Sequence, residues 1–169
     1  VAYESIATER LGGVALIVLN RPDKLNALSF GLVSELDREL AALADDADAK
    51  VVVLTGAGDK AFSAGADIHE MAGLSGEELA ARQAFRARAN WTLATFPKPI
   101  IGAINGLAYG GAALLTSLLD LRVGCERTKF RFLAATYGRV NSTWSLPLLV
   151  GLPKAKELLY TGRDVLPEE

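Results

Sequence analysis

The sequence holds 169 residues, half of them apolar, with 18 Lys and Arg against 20 Asp and Glu, enough for one α/β domain over residues 1–169 with a sizeable core. A net charge of −2, spread along the chain, offers no broad attraction for nucleic acid or an anionic membrane surface. One cysteine, Cys125, excludes an intramolecular disulfide, and without a signal-like segment or a long apolar run the expectation is a soluble, cytoplasmic protein.

In chain order, strand and helix patterns alternate, which predicts a layered α/β fold with parallel strands and helical crossovers. Val14 to Leu19 is a β-branched run closed by Asn20-Arg21-Pro22-Asp23, and such a run predicts a strand covered on both faces. Leu32, Leu36, Leu40 and Leu43 then recur at helical spacing behind Ser29, a capping residue. Val51 to Leu54 repeats the strand pattern and enters a glycine-rich turn leading to Phe62-Ser63-Ala64-Gly65-Ala66-Asp67. Ser75 with Glu78 has the capping-box form and opens a helix running to about Thr95, stopped by Pro97 and Pro99. Ile100 to Ile104 is a third core strand. Asn105-Gly106 and a small-residue stretch ending at Gly110-Gly111 follow, then a buried helix from about Ala112 to Leu119. Leu121 to Cys125 is a short fourth strand, and Pro153 and Gly162 bracket a last helix. The chain opens on Val1 and ends on Glu169 soon after that helix, which reads as a stretch of something longer.

Gly65-Ala66 and Gly110-Gly111 each follow a predicted strand, so their backbone N–H groups can face one crevice at a sheet edge. Two preorganised donors of this kind are what acyl chemistry needs when a carbonyl becomes an oxyanion. Taken singly, each loop reads more readily as a tight turn than as an oxyanion site; their combination points to the site.

The ordered set Asn20-Arg21-Pro22, Lys24-Leu25-Asn26-Ala27-Leu28, Phe62 to Ile68, Lys98-Pro99-Ile100, Asn105-Gly106, Gly110-Gly111 and Asp120 resembles the crotonase (enoyl-CoA hydratase/isomerase) superfamily, and Val150-Gly151, Lys156-Glu157-Leu158 and Thr161-Gly162 extend the likeness. The resemblance implies a crotonase-like (ClpP/crotonase) spiral of ββα units, with the family's C-terminal helices lacking from this chain. It implies an acyl-CoA thioester substrate whose enolate is held by the N–H groups of Ala66 and Gly111. The family's CoA contacts fall by position on Lys24, Leu25, Ala64, Asp67, Ile68 and Gly110. CoA enters as part of the substrate; no metal or separate cofactor is implied, and a homotrimer or hexamer is.

The chain also departs from the family. Its hydratases carry two glutamates, whose positions here match Leu114 and Ala134, and two apolar side chains cannot relay a proton. Ordinary two-glutamate hydration is therefore not expected; another branch using His69 or Tyr137 as proton carrier is, with a non-catalytic acyl-CoA-binding member as the alternative. The segment after Tyr137-Gly138 is shorter than the family's, and Trp144 within it is a candidate for lining an acyl pocket. Asp67 is expected to shape its loop, Thr116 and Ser117 to bond back within their helix, Asp120 to fix a turn, and Cys125 to be a small buried residue.

Overall fold

The computed structural model describes residues 2–72 and 74–169. Among the described residues nine strands form two sheets, and from Val51 to Arg131 consecutive strands fall alternately in one sheet and the other. β3 (Val51–Gly56), β5 (Ile100–Ile104) and β7 (Leu121–Gly124) join β2 (Val14–Leu19) and β1 (Ile6–Leu11) in the order β1-β2-β3-β5-β7. β4 (Ala61–Ser63), β6 (Leu107–Tyr109) and β8 (Lys129–Arg131) form the second sheet with the two-residue β9 (Asp164–Val165). Helix α1 (Phe30–Asp45) precedes β3, α2 (Gly76–Ala94) follows β4, and α3 (Gly111–Ser117) follows β6. The units β3-β4-α2 and β5-β6-α3, and the pair β7-β8 after them, thus each add one parallel strand to each sheet, the expected spiral. Helices α4 (Ser145–Val150) and α5 (Leu152–Thr161) complete the chain.

The corners between sheets are made by short polar side chains. Asn105 Nδ2 donates to Gly56 O and Gly58 O at 2.8 and 2.7 Å, and Asn26 Nδ2 to Ala57 O and Ala61 O, both at 2.9 Å. Asn26 is fully buried, so these bonds satisfy groups that water cannot reach. A Cβ on Gly106 would stand 2.4 Å from Lys60 O, which is why the second corner takes glycine.

Two expectations are corrected. The first strand pair is antiparallel, not parallel: β1 was hidden by its polar Thr8-Glu9-Arg10, and a Gly12-Gly13 turn returns the chain so that Leu11 faces Val14. β2 is covered on one face only. Ala15, Ile17 and Leu19 lie in the main core with Leu32, Leu36, Leu40, Leu43, Val52 and Leu54, whereas Val14, Leu16 and Val18 on the other face are half-buried. Cys125 is likewise half-buried, its thiol 3.7 Å from Ile104 O.

The helix ends follow the sequence. Ser29 Oγ accepts from Leu32 N–H at 3.1 Å, and Ser75 and Glu78 form a complete capping box. Thr116 and Ser117 bond back to Ala113 O and Leu114 O at 2.9 and 2.7 Å, while Asp120 accepts from Ile100 N–H at 2.7 Å. No helix among the described residues is long and apolar enough to cross a membrane.

Candidate functional site

β4 delivers the first loop, Ala64 to Ile68, against the segment before α1. Leu28 N–H donates to Gly65 O at 2.8 Å and Leu28 O accepts from Asp67 N–H at 3.3 Å, a parallel bridge that straddles Ala66. Because the bridge uses its neighbours' groups, the N–H of Ala66 points the other way, and it has no acceptor among the described residues. Gly65 is at φ +92°, and a Cβ there would stand 2.4 Å from Tyr109 O and 3.0 Å from Gly111 N. Only glycine lets the two loops close to this distance.

The second loop begins where β6 ends. Gly110 N–H donates to Arg131 O at 2.8 Å, and Gly111 then opens α3, so its N–H has no intrahelical partner and no other acceptor among the described residues. A Cβ on Gly111 would lie 3.3 Å from Ala66 N. Two unengaged backbone donors therefore stand side by side, one from each loop, able to share one oxygen atom.

The first loop is held rigidly. Asp67 Oδ1 accepts from His69 N–H at 3.2 Å and Oδ2 from the Arg21 guanidinium at 3.0 Å, while the same Arg21 nitrogen reaches Ala27 O at 2.8 Å. Burial opposes ionisation of Asp67, but the Arg21 hydrogen bond and charge, with His69, outweigh it and hold its carboxyl below the usual carboxylate range. Glu70 caps α1 by accepting from Phe30 N–H at 2.7 Å. Arg86 of α2 donates to Leu28 O at 2.7 Å and lies 4.5 Å over the Phe30 ring, so it braces the bridge that aims Ala66.

The paired donors open into a cavity of about 770 Å³ walled by α1, α2, α3 and the segment from Leu133 to Asn141. It brings together six of the residues singled out from sequence: Ala64, Ala66, Ile68, Gly110, Gly111 and Tyr137. Leu114 and Ala134 line it as well, two apolar side chains facing the same space. Four candidates stand outside the lining. His69 is exposed on the turn after the first loop, Asp67 is buried behind it, and Lys24 is exposed on the 3₁₀ turn Pro22–Lys24. Leu25 accepts from Ala64 N–H at 2.9 Å and borders a separate cavity of about 200 Å³ with Asn26, Gly58 and Lys60. Trp144 also lies outside the lining: it packs on Trp91 with ring centroids 6.2 Å apart, because each half-exposed ring covers the other.

Sequence reasoning missed the polar part of the wall. Gln83, Arg86 and Asn90 lie on one stripe of α2, and Asp37 faces the cavity from α1. The i, i+3, i+7 spacing carried the signal, but a polar stripe on a helix reads first as a solvated face.

Comparison with known proteins shows the family. The profile described as Enoyl-CoA hydratase/isomerase matches residues 9–169. The crotonyl-CoA hydratase of Syntrophomonas wolfei is 36% identical over 99% of this chain and 66% of its own length. The short-chain-enoyl-CoA hydratase of Clostridium acetobutylicum is 33% identical over 98% of this chain and 64% of its own. The crystal structure of an enoyl-CoA hydratase from Bacillus anthracis superposes with a TM-score of 0.93 at 36% identity, covering 98% of this chain and 66% of that one. The chain thus spans just under two thirds of the length of these relatives. It has their fold, and it belongs to the enoyl-CoA hydratase/isomerase family of the crotonase superfamily.

Proposed function

We propose that the chain carries the thioester site of an acyl-CoA enzyme, in which the N–H groups of Ala66 and Gly111 hold the thioester oxygen as it becomes an enolate. The observation that carries this reading is the side-by-side placement of these two unengaged donors at the mouth of the 770 Å³ cavity. A preorganised donor aimed at developing charge contributes about 3 kcal/mol to lowering a barrier. Lys24 and Leu25 would meet the CoA moiety on one side, with Ala64, Asp67, Ile68 and Gly110 along the pantetheine path. CoA is then part of the substrate, with no separate cofactor.

Two-glutamate hydration does not suit this cavity, because Leu114 and Ala134 offer no titratable group. Tyr137, which lines the cavity, is favoured as proton carrier over His69, which does not. The reaction is accordingly another conversion of an acyl-CoA through its enolate. The same pair of apolar residues favours a second reading, a member that binds acyl-CoA without turning it over. Assembly as a homotrimer or hexamer in the cytoplasm completes the proposal.

Single-turnover product analysis by mass spectrometry, using the full-length protein and a mixed acyl-CoA panel beside a CoA-thioester binding titration, separates these readings. Gly111→Pro replaces one donor N–H by a ring carbon at the first helical position, beside Ala66. A product that is lost in Gly111→Pro and slowed in Tyr137→Phe supports the enzyme. Tight binding without product supports the binding member, and neither binding nor product overturns both.

A further inference from the structure

Among the described residues, two buried side-chain polar atoms have no hydrogen-bond partner: Asp37 Oδ1 and Arg86 Nε. Both residues line the same cavity as Ala66 and Gly111. A buried acceptor left unpaired is costly, so the places where one persists are places where a ligand can complete it.

The position of Asp37 along the cavity follows from the anchors between α1 and α2. At the start of α1, Arg86 meets Leu28 O and the Phe30 ring; at its end, Lys98, just beyond α2, donates to Leu43 O and Asp46 O at 2.5 and 2.6 Å. The two helices therefore run side by side in the same direction. Asp37 is midway along α1 between these anchors, and Asn90 and Leu93 lie on α2 between Arg86 and Lys98; all three line the cavity. From the α1 cap at Ser29, which neighbours the Leu28–Ala66 bridge, Asp37 is about 12 Å along the helix at 1.5 Å per residue. An extended chain advances roughly 1.2 Å per bond, so a group reaching Asp37 sits about eight to ten carbons from a thioester held at Ala66 and Gly111.

Charge narrows the group. Asp37 is the one acidic residue among the cavity's described lining, against Arg86 and Arg139. A carboxylate would face Asp37 at the far end, and a cationic group would have to pass Arg86, which stands near the thioester end. A neutral donor avoids both penalties. We infer that the far end of this cavity recognises a hydroxyl on a medium-length acyl chain, which donates to the Asp37 carboxylate while Asn90, on the facing helix, is able to donate to it. The inference rests on the acyl-CoA reading of the cavity and names the substrate class for it: acyl thioesters hydroxylated near the end remote from sulfur.

The test is a binding titration of the full-length protein with butanoyl-CoA, decanoyl-CoA, 10-hydroxydecanoyl-CoA and the corresponding ω-carboxylate thioester. The expected result is that 10-hydroxydecanoyl-CoA binds about tenfold more tightly than decanoyl-CoA, the size of one good hydrogen bond, with the ω-carboxylate weaker than either. Asp37→Leu should erase or invert that preference, and Asp37→Asn, which keeps an acceptor oxygen, should retain part of it. Equal binding of the two decanoyl thioesters by the wild-type protein, or an unchanged ratio in Asp37→Leu, overturns the inference while leaving butanoyl-CoA binding, and the acyl-CoA reading, intact. Should Asp37→Leu not fold, the wild-type ratio decides alone. Loss of all four ligands instead overturns the acyl-CoA reading, and this inference with it.

Discussion

The two long helices that wall the cavity are stabilised in different ways. Helix α1 buries Leu32, Leu36, Leu40 and Leu43 along one stripe and Phe30 at its start, whereas α2, three residues longer, buries only Leu93. α1 is held by apolar area removed from water. α2 is held by its capping box, by the guanidiniums of Arg82 and Arg86 over the Phe30 ring at 4.3 and 4.5 Å, and by the Arg86 bond to Leu28 O. The lesson is a division of labour within one site. One wall is a core helix, and the wall that carries the polar stripe of Gln83, Arg86 and Asn90, and that braces the Leu28 bridge through Arg86, is attached mainly by polar contacts.

The sharpest way to break that comparison is to remove core from α1. Leu32 is fully buried, so Leu32→Ala should cost about 2–5 kcal/mol and lower the melting temperature of the whole chain. A smaller loss is expected at the ion pair beneath the first loop. Asp67→Asn should cost about 2 kcal/mol, as for a hydrogen bond to a charged partner, measured by denaturant unfolding at neutral pH. The sign of its pH dependence follows from the depressed carboxyl. The stabilisation is fully present above the unfolded value of about 3.9 and is lost as pH falls through the lower folded value. Stability profiles of wild type and Asp67→Asn should therefore converge in that acidic window. The smallest effect is on α2: Ser75→Ala should cost about 1 kcal/mol, visible as faster amide exchange in the first turn of α2. A global drop as large as that of Leu32→Ala would show that α2 is no less a core helix than α1.

Much of this molecule could be read from its residues because the informative segments are long or chemically constrained. β2, β3 and β5 are β-branched runs, α1 has an uninterrupted leucine stripe, and Ser75 with Glu78 announces its helix. The short strands escaped notice: β4, β6 and β8 have three residues each, too few for alternation to show, and β1 is exposed beyond Ile6. The donors at Ala66 and Gly111 were legible as glycine-containing turns after strands, but the Leu28 bridge that orients Ala66 was not, since such pairing is set by tertiary contact. Asp37 and Arg86 were invisible for a related reason. On a helix, a single polar residue facing a cavity has the same local sequence as one facing water. Trp144 was read toward the cavity from its loop, and its partner Trp91, remote in sequence, drew it elsewhere.

The central claim is that Ala66 and Gly111 hydrogen-bond the thioester oxygen, and difference infrared spectroscopy tests it most directly. With an acyl-CoA carrying ¹³C at the thioester carbon, two donors should lower the C=O stretching frequency of the bound ligand relative to the free thioester, and Gly111→Pro should return it part of the way. An unshifted carbonyl band in a demonstrably bound ligand would contradict the account.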